Sequence, residues 1–229
     1  MAVMITGTSR GIGSALLKEY KGSGVSTISL TRSDRLEVSM EGQHIRVGFG
    51  WDDFEALAKE LAVQSEKIGF KVNVLINNAG LLVKDSIKEV RYEDFERQMR
   101  VNAWNSLALF RAMHSEGLFA DGAHILNIGS MGGVQGAVKF PGLLAYSASK
   151  AALIAITEAL DAEYGDEGLA FNCLALGAVN TEMLQEAFPG YVSKVDPENM
   201  AKYIRTVADE SGRIMSGKLI QATKSNPEA

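Results

Sequence analysis

Apolar residues fall along this chain in short runs that alternate with longer amphipathic stretches. Residues 2–6, AVMIT, form a continuous apolar run closed by glycine, and residues 14–20, SALLKEY, carry apolar side chains at helical spacing. Residues 25–30 alternate and are rich in β-formers, residues 44–49 make a weaker strand, and residues 52–69 hold a 3.6-residue period that ends on glycine. The same pattern predicts buried strands at 72–80, 123–130, 169–177 and 218–223, and long helices at 91–115 and 145–165. Strands that alternate with helices imply right-handed parallel crossovers. The expected fold is therefore α/β and doubly wound, a mostly parallel seven-stranded sheet between helix layers. No linker, repeat or low-complexity segment interrupts it, so a single domain over 1–229 is expected, with only KSNPEA at 224–229 fraying.

Composition narrows the function classes. Of 229 residues, 46% are apolar and 22% charged, which is ordinary globular composition without a disorder signature. The net charge of −5 gives no basic field for nucleic acid. Cys173 is the single cysteine, so intramolecular disulfides and cysteine-based metal clusters are excluded and a reducing compartment is expected. The apolar run starts at Ala2 with no charged segment before it, and no run approaches the roughly 18 apolar residues of a membrane span. These features predict a soluble, cytoplasmic protein with no membrane partner and no metal.

The first candidate for chemistry is TGTSRGIG, which places Gly7, Gly11 and Gly13 between the first strand and the first helix. A dinucleotide pyrophosphate needs such a turn: glycines let the backbone approach the phosphates, and the helix N-terminus offers free N–H groups and a positive dipole end. About 20 residues further on, an NAD site places an acidic residue on the ribose hydroxyls. Here the second strand ends with Thr31 and Arg32. Arg32, with Arg10 inside the glycine loop, has the chemistry to clamp a 2′-phosphate through charge-assisted hydrogen bonds. NADP(H) is the preferred cofactor on this reading, with NAD(H) possible.

Four polar residues then stand on elements that otherwise read as buried. Asn102 shares a helical stripe with Phe95 and Met99, and an amide there must find partners. Ser130 follows a strand at its carboxyl end, where open α/β sheets bind ligands. Tyr146 and Lys150, in YSASK, are i and i+4 on one helix face. Lowering a tyrosine pKa by ~3 units takes about 4 kcal/mol. An ammonium ~4 Å away supplies about that much at an effective dielectric of ~20. Tyr146 would then move a proton, Ser130 would bind the substrate oxygen, and Asn102 would order a water leading to Lys150.

TGTSRGIG, NNAG at 77–80, Asn102, Ser130, YSASK at 146–150 and LGAVNTEM at 176–183 together resemble the short-chain dehydrogenase/reductase family over essentially the whole chain. The resemblance implies a Rossmann-type fold, an NAD(P)-dependent oxidation or reduction, and a catalytic tetrad of Asn102, Ser130, Tyr146 and Lys150. It also implies cofactor contacts from Gly7, Ser9, Arg10, Gly11, Ile12 and Gly13, from Asn78, Ala79 and Gly80, from Tyr146 and Lys150, and from Gly177, Val179 and Thr181. Pairing of the two long helices into a homodimer or homotetramer is implied as well. The compact length and the ending SGRIMSGKLIQAT resemble the smaller C-factor-like members. Three departures stand out. Leu176 replaces the family's usual proline before Gly177, which predicts a looser loop. Ser130 and Tyr146 are separated more widely than is common. Asp52 is the one candidate for the acidic residue that meets adenine. The expected substrate is a small apolar carbonyl or alcohol, and the alternative is a cofactor-binding regulatory or signalling protein of the same fold with little turnover.

Overall fold

The computed structural model describes residues 1–224. The strands are β1 (Ala2–Thr6), β2 (Ser26–Arg32), β3 (Glu37–Glu41), β4 (His44–Phe49), β5 (Val72–Asn77), β6 (Phe119–Ser130), β7 (Ala170–Leu176) and β8 (Lys218–Ala222). The helices are α1 (Gly11–Lys21), α2 (Phe54–Ile68), α3 (Tyr92–Met99), α4 (Asn105–Ser115), α5 (Leu144–Tyr164), α6 (Glu182–Ala187) and α7 (Pro197–Glu210). The strands form one sheet in the order β3-β4-β2-β1-β5-β6-β7-β8, and each neighbouring pair is parallel except β3 with β4.

The period of two along β1 shows how the layers are built. All five of its residues are buried. Val3 and Ile5 pack with Leu16 and Tyr20 of α1 and Ile204 of α7 on one face, while Met4 packs with Leu57 and Leu61 of α2 and Leu109 of α4 on the other. A parallel strand covered on both faces reads as a continuous apolar run, as AVMIT does.

The sheet has eight strands rather than the expected seven. The additional strand, β3, forms an antiparallel hairpin with β4 at the sheet edge, and four of its five residues are exposed. With no buried face it leaves no apolar periodicity to detect. The helix expected over 91–115 is broken by a π-helical turn at Arg100–Trp104 between α3 and α4. Helix α7 was not foreseen, although its start is well signalled: Asp196 accepts from the Asn199 N–H at 2.7 Å, and Pro197 stands in the first turn. The tail expected to fray lies, beyond Lys224, outside the described residues.

The chain crosses over in opposite directions from β1, to β2 on one side and β5 on the other, which opens a crevice at the carboxyl ends of the strands. Thr6, Asn77, Ser130 and Leu176 are the last residues of β1, β5, β6 and β7. The glycine loop, NNAG, Ser130 and the segment after Leu176 all leave from this edge.

Candidate active site

The glycine loop leaves β1 with Gly7 at φ +71°, a left-handed conformation that a side chain rarely adopts. A Cβ there would lie 2.7 Å from the Ala79 Cα, and one on Gly13 would overlap the Gly7 carbonyl oxygen. The loop after β5 braces this turn. Thr6 Oγ1 accepts from the N–H groups of Asn78 (3.0 Å) and Ala79 (2.9 Å), and the Asn78 amide donates to the carbonyls of Thr6 (3.0 Å) and Gly7 (3.2 Å). Asn78 and Ala79 thus hold the glycine turn in shape. Arg10 occupies the N-cap position of α1 without a side-chain cap, and the first turn carries no acidic residue. The free N–H groups at this helix end suit an anion, and the residues present therefore fit a dinucleotide pyrophosphate.

The tetrad residues converge around α5. Lys150 is only 4% exposed, and its ammonium donates to the Ile128 carbonyl at 2.8 Å. Burial lowers its pKa to about 8, against a smaller opposing effect of the Cys173 thiol. Tyr146, one turn earlier, is half-buried. Desolvation pushes its hydroxyl above the ordinary tyrosine range, and the neighbouring Ser130 hydroxyl acts in the other direction. This corrects the expected energetics: the net shift of Tyr146 is upward, because desolvation by burial outweighs the lowering effect of the Ser130 hydroxyl. Ser130, at the end of β6, also accepts from the Gly132 N–H at 3.2 Å.

Asn102 lies within the π-helical turn and is 1% exposed. Its Oδ1 accepts from the Leu81 N–H at 2.7 Å, and its Nδ2 donates to the Leu81 carbonyl at 2.8 Å and to Ser149 Oγ at 2.9 Å. Ser149 in turn donates to the Tyr146 carbonyl at 2.7 Å. Both amide hydrogens are thereby committed to protein groups, which leaves the side chain as a clamp between the loop after β5 and the second turn of α5. Gly80 sits beside this clamp: a Cβ there would lie 3.5 Å from Asn102 Oδ1 and 3.7 Å from Lys150 Nζ. Ser149 was not foreseen as part of the site, although it lies inside YSASK.

The loop after β7 covers the glycine turn. Leu176 is buried at the end of β7, and the Gly177 N–H donates to the Ala222 carbonyl at 2.8 Å. The looseness expected from the missing proline is countered further along. The Asn180 side chain exchanges two hydrogen bonds with the Ser193 backbone, at 2.6 and 2.7 Å, and the Asn180 N–H donates to the Val195 carbonyl at 2.9 Å. This pins the neck of a lid over 181–192 that contains α6. Val179 is buried in the core against β7 and α7. Thr181 caps α6 by accepting from the Leu184 N–H at 3.2 Å, and its methyl group would lie 3.5 Å from a Cβ on Gly11.

The adenosine end is less enclosed. Ser9, Arg10 and Arg32 are exposed, Thr31 and Ile12 are half-buried, and Thr31 Oγ1 contacts the Val47 carbonyl at 3.4 Å. Arg10 is turned toward the lid, 3.3 Å from Glu186 Oε1. Asp52 is exposed between β4 and α2. A cavity of about 910 Å³ runs between the start of α1 and the lid, lined in part by Ser9, Arg10, Gly11 and Thr181. Among the described residues no helix is long and apolar enough to cross a membrane, and no cluster of three or more His, Cys, Asp or Glu could hold a metal ion.

Comparison with known proteins agrees with this geometry. Residues 1–191 match the short chain dehydrogenase family. An uncharacterized oxidoreductase of Staphylococcus saprophyticus is 28% identical over 213 residues, 87% of each chain. Among solved structures, ElxO with NADP bound superposes with a TM-score of 0.80 at 23% identity, covering 97% of this chain and 96% of that one. A 4-hydroxyisoleucine dehydrogenase mutant complexed with NADH and succinate reaches 0.82 at 21% identity, covering 99% and 98%. With a matching fold, a braced glycine turn and Tyr146 above Lys150 on α5, the chain belongs to the short-chain dehydrogenase family, oxidoreductases that act on CH–OH groups with a nicotinamide cofactor.

Proposed function

We propose that the protein is an NADPH-dependent carbonyl reductase or alcohol dehydrogenase for a small apolar substrate, with Tyr146 as its acid/base. The observation that carries this reading is the placement of Tyr146 beside Ser130, at the carboxyl end of β6, with Lys150 buried one helical turn further along α5. With its proton Tyr146 can act as general acid toward a carbonyl oxygen, and without it as general base toward an alcohol. The bound nicotinamide supplies or accepts the hydride. Ser130 orients the substrate oxygen, Tyr146 gives it a proton, and Lys150 places positive charge beneath the site. Gly7, Gly11 and Gly13 with the α1 N-terminus hold the pyrophosphate, while Arg10 and Arg32 take the 2′-phosphate. Arg32 supports that role because its side chain is exposed and makes no ion pair or side-chain hydrogen bond among the described residues. The ElxO structure binds NADP and the 4-hydroxyisoleucine dehydrogenase structure binds NADH, so the fold accommodates either cofactor. We place the protein in the cytoplasm, on the strength of its single, buried cysteine.

The test is cofactor oxidation across a panel of aldehydes and ketones, run with NADPH and with NADH. We expect turnover with at least one carbonyl, faster with NADPH, and a loss of about 10²- to 10⁴-fold in Tyr146→Phe with cofactor affinity retained. Tight cofactor binding without any Tyr146-dependent turnover would instead establish the regulatory alternative.

A further inference from the structure

The lid helix α6 is held by two cations from opposite sides of the crevice. Lys84, in the loop after β5, donates to the Ala187 carbonyl at 2.7 Å and lies 4.8 Å from the Phe188 ring centroid. Arg10, in the glycine loop, lies 3.3 Å from the carboxylate of the preceding lid residue, Glu186. Of the two arginines assigned to the 2′-phosphate, Arg10 is therefore already paired with a negative charge, while Arg32 has no ion-pair partner among the described residues. The cavity between α1 and the lid is lined by Glu182, Glu186 and Glu198 against Arg10 and Lys18, so its carboxylates outnumber its cations.

We propose that Glu186 sets cofactor preference by competing with the 2′-phosphate for Arg10, so that docking of the phosphorylated cofactor releases α6 from the glycine loop. This rests on the assignment of Arg10 to the 2′-phosphate. A phosphate that reaches Arg10 meets a carboxylate at the same guanidinium, and two anions on one cation repel. Glu186 has a side chain 60% exposed, so it can turn away into solvent, and the ion pair is what is given up. A cofactor without the phosphate leaves Arg10 and Glu186 paired and the lid tethered on both sides. Glu186 thus biases the site toward the unphosphorylated cofactor, against the attraction of Arg10 and Arg32.

The experiment is titration calorimetry of the full chain with NADP⁺ and with NAD⁺, at low and at high ionic strength. Glu186→Gln keeps the size and the hydrogen-bonding capacity of the side chain but removes its charge. It should tighten NADP⁺ by about two- to fivefold, in line with the modest strength of exposed ion pairs. NAD⁺ binding should stay within about twofold, and the gain should shrink at high salt. Lys84→Met loosens the lid from the other side and should move both cofactors alike. Arg10→Ala should weaken NADP⁺ selectively and make the Glu186→Gln change silent. If Glu186→Gln shifts both cofactors equally, or if Lys84→Met reproduces its selective gain, the effect is lid loosening and the competition is overturned. An Arg10→Ala variant that loses NADP⁺ affinity beside a Glu186→Gln variant that gains none overturns the competition alone. An Arg10→Ala variant with unchanged NADP⁺ affinity overturns the assignment of Arg10 as well.

Discussion

Lys150 carries its charge at a cost to the fold. Its pKa falls from the usual 10.5 to about 8 on burial, which corresponds to about 3 kcal/mol of preference for the neutral form. The folded chain thus binds this proton less tightly than the unfolded chain. The penalty is present in full below pH 8, and stability recovers as pH rises from about 8 toward 10.5. Lys150→Met removes the charge and leaves an apolar chain of similar length, with the Ile128 carbonyl losing its donor. We expect this variant to be inactive and yet more stable at pH 7 by about 1–2 kcal/mol, once about 1 kcal/mol is set against the lost hydrogen bond. The gain should fade by pH 10. Denaturant unfolding at the two pH values checks it, and an equal gain at both would remove desolvation as the cause. A cost of this kind fits the role proposed for Lys150, since functional sites commonly trade stability for activity.

At the level of elements, the site depends on two segments far apart in sequence being tied together by Asn102. Three hydrogen bonds from one buried amide join Leu81 to Ser149, and a π-helical turn places that amide between them. Asn102→Ala leaves the Leu81 N–H and carbonyl without their partners. A loss of about 2 kcal/mol, or about 4–8 °C in melting temperature, is expected. Asn102→Asp should be no better, since a carboxylate would then face the Leu81 carbonyl oxygen. Thermal unfolding of both variants tests this, and a pair of wild-type melting curves would show that the clamp carries no weight. The sequence made Tyr146 and Lys150 legible because their relation is local, four residues apart along one helix. Ser130 was legible as a polar residue closing an apolar strand. The clamp was not, because Asn102 meets Leu81 and Ser149 at separations of 21 and 47 residues, and the π-helical turn has no periodic signature. Strand β3 escaped for lack of a buried face, whereas the Asp196-Pro197 start of α7 was present to be read.

For the whole molecule, the layers and the doubly wound, mostly parallel sheet followed from alternation of pattern, but the strand order and the contacts that close the lid did not. Arg10 and Glu186 are 176 residues apart, and no local pattern links them. The outer surface raises a similar question of reach. Helix α5 buries Ala145, Ser149, Lys150, Leu153, Thr157 and Leu160, and leaves Leu144, Ala151, Ala155, Ala159 and Ala162 exposed, with Glu158 and Glu163 beside them. Its neighbour α4 is preceded by Trp104, 48% exposed. A small-residue helix face lets a second helix approach closely, and the family resemblance pairs these helices across a two-fold axis. We therefore propose a homodimer or homotetramer built on α5 and α4. A bulky cation on that face has no room at a two-fold contact, where it would meet its own copy. Ala155→Arg is expected to give the 24.7 kDa monomer by light scattering, with far-ultraviolet circular dichroism unchanged, while the unaltered protein gives a multiple of that mass. A wild-type mass of 24.7 kDa would refute the assembly outright. A variant that stays assembled would move the contact to another face of the molecule.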